Sequence, residues 1–210
     1  MPRKRYSPWR SGPLAWALET LPGKFISHWL FQGTLNMDRT ERTFKLGLDG
    51  LFALAMFPIV ALLLPTLPAV VAALLLAHTL NVVVNGQLMV LLKFHRHGGR
   101  STDELRHYLS GLGLRLGRRR SVAAVSAYGS LSRGAFHVGS DLDVAVLRRP
   151  GLRNGLDACV AVAFERCRAL CFRVPLDIYV WDSPARAARM RRDEIPVDVL
   201  RLAAEPPGQL

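Results

Sequence analysis

The fold of this chain is decided by two short stretches, VAAVSAYGS at residues 122–130 and SDLDVAVL at residues 140–147. The first is an apolar run that ends in Gly-Ser, which is typical of a buried strand followed by a tight turn. In the second, Asp141 and Asp143 are two positions apart on a predicted strand, so both carboxylates leave the same face while Leu142 faces the core. Two carboxylates on one face repel each other unless a cation lies between them, and their oxygen atoms suit Mg²⁺.

A third acidic residue follows on a later apolar segment. Apolar side chains alternate along residues 174–180, and Asp177 points to the opposite face. If this strand lies beside the second one, three carboxylates converge, which is enough to hold two metal ions about 3.5–4 Å apart. Gly129 allows backbone amides to approach a polyphosphate closely, and Ser130, at the expected start of a short helix, is suited to bind an anion.

An apolar strand, Gly-Ser, Asp-x-Asp and a later single Asp together resemble the nucleotidyltransferase superfamily that includes DNA polymerase beta. The strings at 129–134 and 139–143 are most similar to its small, minimal branch, and the resemblance covers about residues 103–196. It implies that catalysis and the binding of two Mg²⁺ ions, or of Mn²⁺ as the alternative, fall to Asp141, Asp143 and Asp177. It also implies a set of nucleotide-binding residues, namely Gly129, Ser130, Arg133 and Ser140.

The rest of residues 94–210 alternates between helical and strand-like periods, as expected for an α/β (α+β) unit with a small mixed sheet and flanking helices. Ser101 or Thr102 is predicted to cap a helix that begins near Asp103. Ser183 or Pro184 is predicted to open the last helix. We expect strands at 122–128, 141–147 and 174–180, and a helix over 153–170.

A separate zone of the chain is strongly apolar. No charged residue lies between Asp49 and Lys93. Because one bilayer crossing needs about 20 apolar residues, the run predicts a membrane hairpin with helices at 46–64 and 69–92. The first helix contains Pro58, so a re-entrant segment is an alternative. A pair of buried helices in a soluble core is the other alternative, which the near absence of a polar face disfavours.

Basic residues flank the apolar run on both sides, namely Arg39, Arg42, Lys45, Lys93, Arg96 and Arg100. Since Lys and Arg stay on the cytoplasmic side of a crossing, an even number of crossings with both ends in the cytoplasm is favoured. Within the second helix, His78, Asn81 and Asn85 form a polar stripe. This stripe is interpreted either as packing between helices or as contact with a lipid headgroup or lipid-linked substrate.

The chain begins with a basic segment that contains Trp9, Trp16 and Trp29, which indicates interfacial helices rather than a signal peptide. The predicted organisation is therefore an interfacial segment at 1–45, a membrane hairpin at 46–93 and a nucleotidyltransferase domain at 94–210.

Over 210 residues, Lys and Arg outnumber Asp and Glu by 28 to 16, a net charge of +12. We therefore expect an anionic partner: nucleotide phosphates, acidic lipid or, less favoured, nucleic acid.

The resemblance and the apolar run together predict a membrane-anchored enzyme that transfers a nucleoside monophosphate to an acceptor hydroxyl and releases pyrophosphate. The triphosphate expected from the family is ATP, and the catalytic domain is expected on the cytoplasmic side of the cell membrane. A hairpin in the membrane favours an acceptor that is lipid-linked or a membrane protein. Two alternatives stay open: an inactive nucleotide-binding membrane scaffold, and an antitoxin-like minimal nucleotidyltransferase that modifies a partner protein.

Overall fold

The computed structural model describes residues 20–32, 34, 37–85, 100–190 and 194–202. Several sequence expectations concern residues outside this part of the chain. They are the interfacial role of Trp9 and Trp16, the end of the second apolar segment at 86–92, and the basic flank formed by Lys93 and Arg96.

The helices and strands follow one another in a simple order. Three helices come first: α1 at Leu21–Phe31, α2 at Arg39–Ala61 and α3 at Thr66–Val84. The next elements are α4 at Thr102–Gly117, β1 at Val122–Tyr128, β2 at Leu142–Arg148 and α5 at Leu152–Cys171. The last are β3 at Leu176–Trp181, a 3₁₀ helix at Pro184–Arg189, β4 at Val197–Asp198 and α6 at Val199–Leu202.

The four strands form one mixed sheet in the order β3-β2-β1-β4. β1 is antiparallel to β2 and to β4, whereas β2 and β3 are parallel and are joined through α5. The apolar faces of α4 and α5 pack on one side of the sheet, against side chains that include Val125, Val144 and Ile178. This is the predicted α+β architecture, a small mixed sheet with flanking helices.

Most of the predicted elements are confirmed. β1 spans the predicted residues, and α4 is capped by Ser101, whose side chain and that of Glu104 form a capping box. The third strand begins at Leu176, two residues later than predicted, although Val174 is buried as expected. β4 has only two residues, which is too short for a sequence pattern to show alternation.

Helices α2 and α3 form an antiparallel hairpin joined by a short loop. They contain 23 and 19 residues, and both are long and apolar enough to cross a membrane. Many of their apolar side chains are exposed, for example Leu54 at 77%, Ile59 at 59% and Leu67 at 75%. Such exposure is not what a pair of buried helices in a soluble core would show.

The first turns of α2 dock against the outer edge of β3. The carboxylate of Glu41 accepts a hydrogen bond from the Val180 N–H at 2.8 Å and forms a buried ion pair with Arg166 of α5. The same guanidinium donates to the carbonyl of Ile178. Two backbone groups at the edge of the sheet therefore bond to side chains, and this edge is closed to another strand.

The polar stripe of α3 is used in packing between helices. His78 Nδ1 lies 3.1 Å from Asp49 Oδ2, and the Asn81 side chain donates to Asp49 Oδ1 at 2.8 Å. At the end of the stripe, Asn85 Oδ1 lies 3.4 Å from a guanidinium nitrogen of Arg166. These contacts support the packing interpretation, since the stripe joins α3 both to α2 and to α5.

Candidate active site

Asp143 and Asp177 lie side by side on neighbouring strands. They are register partners in the parallel pair of β2 and β3. Both point away from the helices, because Val144 and Ile178, one position further on, are buried in the core between sheet and helices. The predicted position of the third strand beside the second is therefore confirmed. Asp141 precedes Asp143 by two residues, just before β2 begins, and all three aspartates are partly exposed.

Gly129 lies directly against one of these carboxylates. Tyr128, the last residue of β1, is the register partner of Asp143, so the next residue brings its backbone onto that side chain. A Cβ at Gly129 would overlap Asp143 Oδ2, and the residue has a φ of 70°, in the left-handed region. Glycine is required here for both reasons.

The short helix expected after Gly129 is absent, and residues 129–134 form consecutive turns instead. The Ala135 N–H donates to the Ser130 carbonyl at 2.9 Å, and Ser132 Oγ donates to the Gly129 carbonyl at 3.1 Å. Gly134, with a φ of 66°, then takes the backbone out of the helical region. We expected Ser130 to lie at the start of a helix, but the structure places it in a turn.

The hydroxyl of Ser130 is buried within this turn. Its Oγ has no hydrogen-bond partner among the described residues. A buried polar group without a partner costs about 1–3 kcal/mol, so native structures rarely leave one without a reason. This hydroxyl is therefore available to donate to an acceptor such as an anionic oxygen.

The other two predicted nucleotide-binding residues bond to neighbouring side chains. Ser140 is buried, and its Oγ accepts from the His137 N–H at 3.0 Å and lies 2.8 Å from His137 Nδ1. Arg133 forms an ion pair with the buried carboxylate of Glu194 at 2.5 Å. Arg133 must therefore exchange its partner before it can contact a phosphate group.

Tyr179 belongs to the same site, although the sequence prediction did not include it. It follows Asp177 by two positions on β3, so it lies on the same face, and its side chain is hydrogen-bonded to Asp177. Burial, with a smaller effect from the Asp177 carboxylate, raises the pKa of the Tyr179 hydroxyl well above its usual value. The hydroxyl thus stays protonated as a donor. The alternation that singled out Asp177 would also have identified Tyr179.

Within the described ranges, no group of three or more His, Cys, Asp or Glu side chains is arranged to hold a metal ion. Mg²⁺ rarely needs such a group, since it usually binds one or two carboxylates together with water and substrate phosphates. Asp143 and Asp177, with Asp141 nearby in sequence, fit that donor set in their chemistry and in the pairing of their strands.

Residues 111–180 match the family model described as "Nucleotidyltransferase domain". The matched segment begins within α4 and includes β1, β2, α5 and most of β3, together with Gly129, Asp143 and Asp177. The match supports the nucleotidyltransferase superfamily as the class of this region. No curated protein matches the chain.

Proposed function

We propose that this protein transfers a nucleoside monophosphate from a nucleoside triphosphate to an acceptor hydroxyl and releases pyrophosphate. One observation supports the proposal most strongly. Asp143 and Asp177 are paired on adjacent strands, next to the Gly129 turn, inside the segment that matches the nucleotidyltransferase domain. Charged groups fixed where charge develops during a reaction are the usual source of catalysis in transfers of this kind.

The turn after β1 would bind the triphosphate. A phosphate can approach the backbone closely at Gly129, where there is no side chain, and the Ser130 hydroxyl would donate to a phosphate oxygen. That bond would give the buried hydroxyl its missing partner. Ser140, bonded to His137, would hold the loop that leads into Asp141, and Arg133 would contact phosphate after leaving Glu194.

In the reaction, the acceptor oxygen would attack the α-phosphorus and form a new P–O bond. The bond from the α-phosphorus to the bridging oxygen would break, and pyrophosphate would leave. The acceptor proton would pass to the Asp177 carboxylate, which Tyr179 holds in position. When bound to Asp141, Asp143 and Asp177, two Mg²⁺ ions, or Mn²⁺, would supply positive charge for the phosphates and lower the pKa of the acceptor.

The proposal includes attachment to the cell membrane through α2 and α3, with the catalytic domain on the cytoplasmic side. Exposed apolar helices and the exposed cations Arg39 and Arg42 at the start of α2 support it. We retain the division into residues 1–45, 46–93 and 94–210 as the proposed organisation. Helix α2, at Arg39–Ala61, spans the boundary between residues 45 and 46.

The acceptor we favour is itself membrane-bound, either a lipid-linked group or a membrane protein, because the hairpin would hold the active site near the lipid surface. ATP is the proposed nucleotide, and the minimal branch is the proposed subgroup of the superfamily. Both rest on the resemblance of residues 129–143.

The full chain in lipid vesicles, incubated with triphosphates labelled at the α-phosphate and with Mg²⁺, tests this function. The lipid, protein and RNA fractions are then separated. We expect label in the lipid or protein fraction, lost in Asp143→Asn and kept in Asp103→Asn, which changes an exposed aspartate at the start of α4. Triphosphate binding without label transfer would indicate the inactive scaffold. Label on an added soluble partner protein alone would indicate the antitoxin-like alternative.

A further inference from the structure

We propose that the hairpin of α2 and α3 enters the membrane from one side and ends inside the hydrocarbon core without reaching the opposite surface. This inference rests on the membrane attachment in the proposed function and concerns its geometry. Four independent features of the hairpin support it: the position of its base, the level of its polar contacts, the length of its helices beyond that level, and the composition of its tip.

The base of the hairpin is occupied by the domain that contains the sheet. Near the start of α2, the backbone N–H of Thr40 donates to Asp182 Oδ2 at 3.1 Å, and Glu41 binds the edge of β3. Near the end of α3, Cys167 Sγ of α5 donates to the Val84 carbonyl at 2.8 Å. Both ends of the hairpin are thus tied to a folded domain with many polar groups, which stays outside the hydrocarbon.

A layer of polar contacts lies next to this base. The Asp49 carboxylate of α2 bonds to both His78 and Asn81 of α3. At the same level, Trp29 of α1 packs edge-on against His78, and its Nε1 donates to Thr79 Oγ1 at 3.2 Å. Tryptophan collects at the level of lipid headgroups. The polar layer therefore marks the membrane surface along the hairpin.

Each whole helix is long enough to cross a membrane, but the part of each helix beyond the polar layer is too short to do so. Residues 50–61 of α2 and 66–77 of α3 contain no charged side chain. Each stretch extends about 18 Å at 1.5 Å per residue, whereas the hydrocarbon core is about 30 Å thick. The hairpin tip should therefore stop about 10 Å from the opposite surface.

The tip itself is apolar. Residues 62–65 are Leu-Leu-Leu-Pro, and Leu62 and Leu63 are 84% and 81% exposed. The backbone N–H groups of Leu62, Leu63 and Leu64 bond to carbonyls of α2, and Pro65 has no N–H. A loop in hydrocarbon must satisfy its own backbone groups, and much of this loop does so. In water, by contrast, Leu62 and Leu63 would each lose about 2 kcal/mol of burial energy.

The charges near the base fit one partner, a bilayer with anionic headgroups. Arg39 and Arg42 are exposed in the first turn of α2, on the side of the polar layer away from the tip. Cations at this level are attracted by lipid phosphates at about 1 kcal/mol each. An apolar tip with cations only at the base is the pattern expected of a segment inserted from one surface.

Thiol accessibility tests the insertion depth. Leu63→Cys is made in a Cys171→Ser background, because Cys171 is exposed, whereas burial raises the pKa of Cys159 to about 12. The Cys171→Ser variant alone is the control, because it keeps the half-buried thiol of Cys167. The protein is added to vesicles of phosphatidylcholine and phosphatidylglycerol and floated on a gradient. We expect the introduced thiol to resist a membrane-impermeant maleimide before and after the vesicles are permeabilised, and to react with a lipid-soluble one. Cys171 of the wild type should react from outside at once.

The outcomes distinguish the insertion depth of the hairpin from the attachment of the protein to the membrane. Flotation with a thiol that reacts only after permeabilisation would mean that the hairpin crosses, and would overturn this inference alone. Failure to float would refute membrane attachment, and this inference with it. As a second variant, Leu63→Lys should lower partitioning into vesicles at least tenfold, because the charge would lie in hydrocarbon. Unchanged partitioning would place the tip in water and contradict the inference.

Discussion

Gly129 and Asp143 are in contact across the pair of strands β1 and β2, and the Asp143 carboxylate fills the place where Gly129 has no side chain. The relationship explains why a glycine stands between an apolar strand and the Ser130 hydroxyl. It also fixes the Asp143 carboxylate beside the turn that we propose binds phosphate.

Gly129→Ala should therefore abolish most activity. The added methyl group would displace the Asp143 carboxylate, and the left-handed backbone would cost about 1–2 kcal/mol of stability. Gly134→Ala is the matched control, since Gly134 has a φ of 66° with open space around its Cβ position. Both variants should lose the stability that the left-handed backbone costs, but only Gly129→Ala should displace the Asp143 carboxylate and lose about 100-fold in rate. Equal losses of rate would mean that the contact with Asp143 is unimportant.

Tyr179→Phe should weaken the binding of Mg²⁺ while leaving the fold intact. The variant removes the hydroxyl that bonds to Asp177. Groups that orient a metal-binding residue typically contribute about 10–100-fold in affinity or activity. We expect the Mg²⁺ concentration for half-maximal activity to rise about tenfold. Tyr108→Phe is the control, since that hydroxyl lies on α4 and donates to the Glu165 carbonyl. An unchanged Mg²⁺ dependence in Tyr179→Phe would remove Tyr179 from the site.

Glu41→Gln should loosen the hairpin from the sheet. The pair of Glu41 and Arg166 is almost completely buried, so loss of one charge leaves the other without compensation, at a cost of about 3–5 kcal/mol. Arg119→Gln is the control, because its ion pair with Asp157 is half exposed and should contribute about 0–1 kcal/mol. Thermal unfolding in detergent measures the difference. Equal unfolding midpoints for the two variants would show that the buried pair does not hold the hairpin.

Acid should weaken a second contact of α2. Burial alone would raise the pKa of Asp182, but hydrogen bonds from Thr40 and Arg148 outweigh it and lower the pKa below its usual value. Since the folded pKa is below the unfolded one, the stabilisation is complete above about pH 4 and is lost as the pH falls through the folded pKa. Asp182→Asn should be less stable than the wild type at pH 7, and this difference should shrink below pH 4. A difference that does not change with pH would contradict the role of the Asp182 charge.

Much of the sheet follows from local patterns in the sequence. Alternation placed Asp143 and Asp177 on the faces of their strands opposite the apolar one, and the register shows that the two residues are partners on neighbouring strands. The same alternation places Tyr179, two positions after Asp177, on the same face of β3. These features depend on residues close together in sequence, where periodicity gives a direct signal.

The features that the sequence did not predict depend on distant residues or on exact backbone angles. Glu41 and Arg166 meet across 125 positions, and Arg133 and Glu194 across 61, so no local pattern indicates either pair. The turn at 129–134 differs from the expected helix because Gly134 adopts a left-handed conformation, which composition alone does not specify.

The central claim is that Asp143 and Asp177 together carry out nucleotidyl transfer, and the release of pyrophosphate from a triphosphate in the presence of Mg²⁺ and lipid tests it most directly. We predict that Asp143→Asn and Asp177→Asn each reduce the rate roughly 100-fold or more, whereas Asp103→Asn, on the surface of α4, retains the wild-type rate. Triphosphate-dependent pyrophosphate release that persists undiminished in both site variants would contradict the claim.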